Sequence, residues 1–155
     1  MFTTILVPLD GSSLAERAVP YAEKLARATG ATLVLVRAET SGITGSRVIV
    51  IRQALAYLEK LAADLRSRGL TVRTSAPYGQ PVAGVIVEAE RTEADLIVLY
   101  GFDAVECPPG RWRYTAPVIE LMKSRARTFI YSTALPPAGS SPPPSELLGG
   151  TGGAG

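Results

Sequence analysis

Residues 3–13 read TTILVPLDGSS. Ile5, Leu6, Val7 and Leu9 make an almost unbroken apolar run, as a strand buried on both faces of a parallel sheet requires. The run stops at Asp10 and Gly11. Ser13, with Glu16 three residues later, has the spacing of a capping box, so a helix is expected to begin there. The unit is strand, tight turn, helix. Its turn carries a carboxylate at the carboxyl end of a central strand, where open α/β sheets bind ligands. Asp10 is therefore a candidate ligand contact; its other reading is an acid that caps the following turn. Ser12 and Ser13 are read as helix-start residues, since nothing nearby could act as a base to activate a nucleophile.

Working outward, residues 13–28 place Leu14, Ala18, Tyr21, Ala22 and Leu25 on one helical face. Pro20 lacks an N–H and predicts a bend. TLVLVRA at 32–38 is a second buried strand. A long helix is predicted over 47–68, where Ile51, Leu55, Leu58, Ala62 and Leu65 step by three and four. Leu70, Val72, Thr74 and Ala76 alternate with polar residues, which predicts a strand at the sheet edge. A helix follows over 82–91 with Val85, Ile86 and Ala89 inward, and DLIVLY at 95–100 is the fourth strand. In FDAVECPPGRW, residues 102–112, Pro108 and Pro109 are expected to prevent regular pairing. Thr115 can cap another helix, and TFIYS at 128–132 is a fifth strand. The alternation βαβαβαβαβ implies a parallel sheet with helices on both faces.

Composition narrows the function. The chain has 155 residues, 46% hydrophobic and 19% charged, with a net charge of +2. That balance suits a globular domain and argues for neither nucleic acid nor an anionic membrane as a partner. No apolar run approaches 18 residues, and the first residues lack the pattern of a signal peptide, so a cytoplasmic protein is expected. Histidine is absent and Cys107 is the only cysteine. Ser-His-Asp and Cys-His catalysis, disulfides and ordinary zinc sites are thereby excluded within the chain. Cys107, beside Glu106, reads as a plain loop cysteine. Residues 134–155 hold five prolines and six glycines, so the folded domain is expected over 1–133 and a flexible tail over 134–155.

ILVPLDGSSLAERAVPYAEKLA, GATLVLVRA, GQPVAGVIVEAE and TEADLIVLYG together resemble the universal stress protein family over residues 4–101. The resemblance implies an open five-stranded parallel sheet of order 3-2-1-4-5, of the adenine nucleotide alpha hydrolase-like type. It also implies a homodimer, often joined through the last strand, and a non-enzymatic role in stress response. One branch of the family binds ATP or another adenine nucleotide. For such a site the resemblance points to Pro8, Leu9, Asp10 and Ala38 at the base and ribose. The phosphates would lie in a loop of pattern G-x2-G-x9-G-[S/T], where glycines let backbone N–H groups approach an anion. Here Gly101 and Thr115 fill their places, but Ala104 and Tyr114 stand where glycines belong.

Alanine at 104 disfavours positive φ, and a tyrosine at 114 sets a ring where a phosphate would lie. Arg111 and Arg113 could restore anion binding by charge, and Trp112 and Tyr114 could stack on a purine or close the pocket. The expectation is a stress protein without a bound cofactor, its ATP binding weakened or lost. The alternative is a binder of ATP, AMP or cyclic AMP through Asp10 and the 101–115 loop. A receiver domain is excluded because its third strand would end in aspartate, whereas this one ends in Ala76 and Pro77. Asp10-Gly11-Ser12 is no G-x-G-x-x-G, which excludes a dinucleotide fold.

Overall fold

A computed structural model describes residues 2–40, 45–100 and the strand segments 104–106, 112–114 and 127–131. In chain order these form β1 (Thr4–Pro8), α1 (Ser13–Glu16), α2 (Ala18–Thr29), β2 (Thr32–Val36), α3 (Arg47–Ser67), β3 (Val72–Ser75), α4 (Pro81–Arg91), β4 (Leu96–Tyr100), β5 (Ala104–Glu106), β6 (Trp112–Tyr114) and β7 (Arg127–Tyr131). Five strands make one parallel sheet in the order β3-β2-β1-β4-β7. The order expected from the sequence is therefore present, with β7 as the fifth member. β5 and β6 pair antiparallel in a separate ribbon.

Strand alternation sorts the core into two layers. Ile5, Val7, Leu9, Leu33 and Leu35 face α2 and α3, where they meet Ala18, Ala22, Leu58, Ala62 and Leu65. Leu6, Val34, Val36, Ile97 and Leu99 face α4 and meet Val85 and Ala89. Ile86 is only partly buried. β1 thus has no polar face, which is why its sequence does not alternate.

The first helix is not one bent rod but two pieces, separated at Arg17. Pro20 explains the position. It has no N–H for the carbonyl of residue 16, and its ring crowds that carbonyl, so the break falls one turn before the proline. The helix expected from Thr115, Cys107 and the tail at 134–155 lie outside the described residues.

Two polar devices fix the sheet. At one end, Asp95 Oδ2 accepts from the backbone N–H of Thr3 (2.5 Å), the Thr3 hydroxyl (2.8 Å) and the backbone N–H of Thr4 (2.9 Å). The Asp95 N–H donates in return to the Thr4 carbonyl at 2.9 Å. This clip ties the start of β4 to the start of β1. Burial by itself raises the Asp95 carboxyl, but the donors of Thr4 and Thr3 outweigh it and hold the group below the usual carboxylate range.

At the edge, β3 sends Thr71 and Ser75 carbonyls to Leu33 and Arg37 of the neighbouring strand. The Val72 carbonyl therefore faces outward. Arg66 of α3 covers it with Nε at 3.1 Å and Nη2 at 2.8 Å. Glu59 holds Arg66 Nη1 at 2.8 Å and accepts from Thr74 at 2.7 Å. These bonds, that of Arg66 foremost, hold the Glu59 carboxyl below its ordinary value. A guanidinium on the edge carbonyl is an obstacle to strand addition.

Asp95→Asn keeps an acceptor but loses the charge, and is expected to cost about 1–2 kcal/mol at neutral pH. Because the folded group is depressed, this stability is complete above the unfolded value near ~4 and fades as pH falls through the lower folded value. Denaturant unfolding of both proteins should show the gap at pH 7 narrowing below pH ~4. Arg66→Ala uncovers the β3 edge. It should lower the melting temperature by a few degrees and raise the apparent mass in light scattering as concentration increases.

Candidate functional site

The sheet opens at the carboxyl end of β1, and Pro8 sets where. β1 pairs with β2 through five residues, Thr4 to Pro8, but with β4 only at Ile5 and Leu6. The Leu9 N–H donates to Val36 of β2 at 2.8 Å, so by alternation the backbone nitrogen of residue 8 faces β4. Proline has no hydrogen to donate there, and the ladder stops. β1 and β4 are the strands on either side of the point where the chain order reverses. The crevice therefore lies where open α/β sheets bind ligands. Pro8 and Leu9 are buried at its floor and Asp10 is exposed at its rim.

Asp10 is held by its own turn. Its Oδ1 accepts from the Ser12 N–H at 2.8 Å and from the Ser12 hydroxyl at 2.5 Å. Ser12 Oγ in turn accepts from the Ala15 N–H at 3.1 Å. Ser12 is therefore the helix cap, one residue earlier than the Ser13 expected from the sequence. The third helical position is then Ala15 and not Glu16, so the capping box does not form. Both readings of Asp10 meet in this geometry. One oxygen organises the turn, and among the described residues no hydrogen bond is made to Oδ2.

Behind the turn stands Arg37, the residue after β2 on the α3 side of the sheet. Its Nε donates to Glu39 Oε1. Its guanidinium carbon lies 5.1 Å from the centre of the Tyr57 ring. The Tyr57 hydroxyl is buried. Burial, with Glu16 and Asp10 adding their negative charge, pushes that phenol up to about 12, although Arg37 opposes them. Tyr57 is thus neutral at physiological pH.

Ala38, the next residue, belongs to the other face. Gly84 of α4 comes so close that a Cβ there would stand 2.7 Å from the Ala38 Cβ and 3.3 Å from Pro77. A glycine inside a helix costs about 1 kcal/mol against alanine, and here it lets α4 sit directly on the end of β2. Ala38 is half-buried beneath it.

The remaining expected positions fall in and beside the ribbon. β5 and β6 pair Ala104 with Tyr114, Val105 with Arg113 and Glu106 with Trp112. Regular pairing therefore does occur in this stretch, against expectation. Pro108 and Pro109 lie outside the described residues. Ala104 and Tyr114, the two positions that lack glycine, stand directly opposite one another. Gly101, Arg111 and Thr115 lie outside the described residues.

Arg37, Tyr57 and Gly84 were not singled out by sequence reading. A charge that continues the buried alternation of Leu33 and Leu35 was the signal for Arg37. A lone glycine in an amphipathic helix was the signal for Gly84. Among the described residues there is no cluster of acids or cysteine able to hold a metal, and no helix is long and apolar enough to cross a membrane.

The chain is similar to solved structures of one kind. A universal stress protein in complex with cAMP matches with TM-score 0.68 at 23% identity, covering 86% of this chain and 99% of that one. A universal stress protein from Archaeoglobus fulgidus matches with TM-score 0.64 at 18% identity, covering 84% and 93%. A universal stress protein family member from Arabidopsis thaliana with AMP bound matches with TM-score 0.61 at 16% identity, covering 84% and 91%. At these identities the likeness concerns the fold. No curated protein sequence matches. The model of the universal stress protein family matches residues 1–101, which runs from the first strand to the start of the ribbon. The chain belongs to the universal stress protein family.

Proposed function

We propose that this chain is a non-enzymatic stress-response protein whose adenine-nucleotide site keeps its base end and has its phosphate end rebuilt. ATP binding is thereby weakened or lost. The observation that carries the reading is the pairing of Ala104 with Tyr114. A phosphate loop works by turning successive backbone N–H groups toward the anion, which needs open, glycine-rich backbone. A β-ribbon commits backbone groups to its own ladder. The same backbone cannot serve both ends at once. Asp10, Pro8, Leu9 and Ala38 remain around the crevice and would hold the base and ribose. Gly101, Ala104, Tyr114 and Thr115 bound the altered half. A homodimer joined along the outer edge of β7 suits the sheet, since that edge otherwise carries unpaired backbone groups. A reducing cytoplasm suits a chain with a single cysteine.

A second reading keeps the nucleotide. It is favoured by the crevice that Pro8 opens and by the free side of Asp10, and the similar structures with cAMP and with AMP support it. A compact nucleotide with one phosphate asks less of the 101–115 loop than ATP does.

Calorimetric titration with ATP, AMP and cyclic AMP separates the two. Weak or absent binding of ATP is expected. A dissociation constant for ATP below about 10 μM, or roughly −6.8 kcal/mol, would overturn the first reading. The double change Ala104→Gly, Tyr114→Gly should raise ATP affinity by about tenfold if glycine is what the loop lacks. Pro8→Val restores a backbone N–H that the register aims at the Val98 carbonyl. It should extend the β1–β4 ladder, raise the melting temperature by a few degrees and lower nucleotide affinity, both read on the same preparation.

A further inference from the structure

We propose that Arg37 is the positioning residue of this site and acts through Asp10 by bracing the Gly11 backbone. The proposal rests on reading Asp10 as the acid that faces the ligand. Gly11 has φ +87°, a conformation that side chains resist. A Cβ built there would stand 2.8 Å from Arg37 Nη1, 3.2 Å from Cζ and 3.4 Å from Nη2. Guanidinium atoms stand in the space that a side chain at 11 would enter. The dihedral favours glycine by itself, and the neighbour adds to it as far as the guanidinium is held in place.

The guanidinium does not drift because it is held on its other sides. Glu39 takes Nε, and the Tyr57 ring lies beneath the guanidinium carbon. Glu39 is itself fixed, its N–H donating to Pro77 at 3.0 Å and its carbonyl accepting from Gly79 at 2.9 Å. The Arg37 side chain is only 26% exposed, unlike a solvated surface arginine. A planar cation can sit over a ring, keep a carboxylate at Nε and still stand beside a glycine. Asp10 precedes that glycine, and its Oδ1 binds Ser12 on the far side of it. Bracing Gly11 therefore fixes the direction of the carboxylate. Arg37 itself is engaged by Glu39 and Tyr57 and is not the ligand's partner.

Three measurements test this. Amide exchange by NMR in the unliganded protein should show Ser12 and Ala15 exchanging about tenfold faster in Arg37→Ala, while Ala22 and Leu58 keep their rates. Unchanged rates at Ser12 and Ala15 overturn the proposal. Gly11→Ala should lower the melting temperature more in the wild-type background than in the Arg37→Ala background, where only the dihedral strain remains; equal drops overturn it. In titrations with cyclic AMP and ATP, Arg37→Ala should weaken binding by about tenfold, and add nothing once Asp10→Asn is present. Additive losses would mean that Arg37 touches the ligand or merely supports the fold. If the wild-type protein binds neither nucleotide, the ligand-facing reading of Asp10 fails, and the exchange and melting cycles still decide the brace. Should Arg37→Ala not fold, Arg37→Lys keeps the charge without the plane and should still quicken exchange at Ser12; wild-type exchange there overturns the proposal.

Discussion

The sheet depends on one missing hydrogen. β1 lies in the middle of five strands and is apolar on both faces, so its backbone has no water to turn to. Every carbonyl and N–H along it must find a strand. At residue 8 the nitrogen that should reach β4 carries no hydrogen, and pairing on that side ends while pairing with β2 continues. The same substitution in an edge strand would change little. In a central strand it ends the ladder locally at the point where the strand order reverses, the place where open α/β sheets bind ligands. The clip between Asp95 and Thr3 and Thr4 holds the opposite end of the same pair closed. β1 and β4 are thus tied together at their starts and share no ladder pair beyond Leu6.

What the crevice offers is set by the turn that follows. A carboxylate at a strand end is costly if it wanders and useful if it points. Asp10 gives one oxygen to Ser12, which then caps the helix. That arrangement removes two unpaired donors near the helix start and leaves the acid oriented. Arg37 adds a constraint from behind. Three carboxylates, those of Asp10, Glu16 and Glu39, lie around one guanidinium and one neutral tyrosine.

Much of this was legible in residues 3–13. An unbroken apolar run identified a central strand, and the acid-glycine-serine stop marked where it turns into the first helix. Periodicity gave α3 and α4 because their buried faces recur without interruption. The sequence was less informative where two local rules compete. Ser12 and Ser13 are equal as caps until the position of Asp10 is known, and Asp10 selects Ser12. Pro20 signals a disturbance but not its place, which follows from the carbonyl four residues earlier. Arg37 could not be read at all from neighbours in sequence. Its partners are at 11, 39 and 57, and only the pairing of β1 with β2 and the packing of α3 bring them together.

On the proposed reading, the ribbon of β5 and β6 replaces a phosphate loop without deleting a residue. Glycines at 104 and 114 would each leave backbone that is unpaired and free to face an anion. Alanine and tyrosine both favour extended conformations over positive φ, and once both are extended they can pair. The spacing between them is preserved, which is why the two positions meet in register. The family match ends at residue 101, just before the ribbon begins. On the proposed reading, backbone that would face an anion is given to the β5–β6 ladder instead.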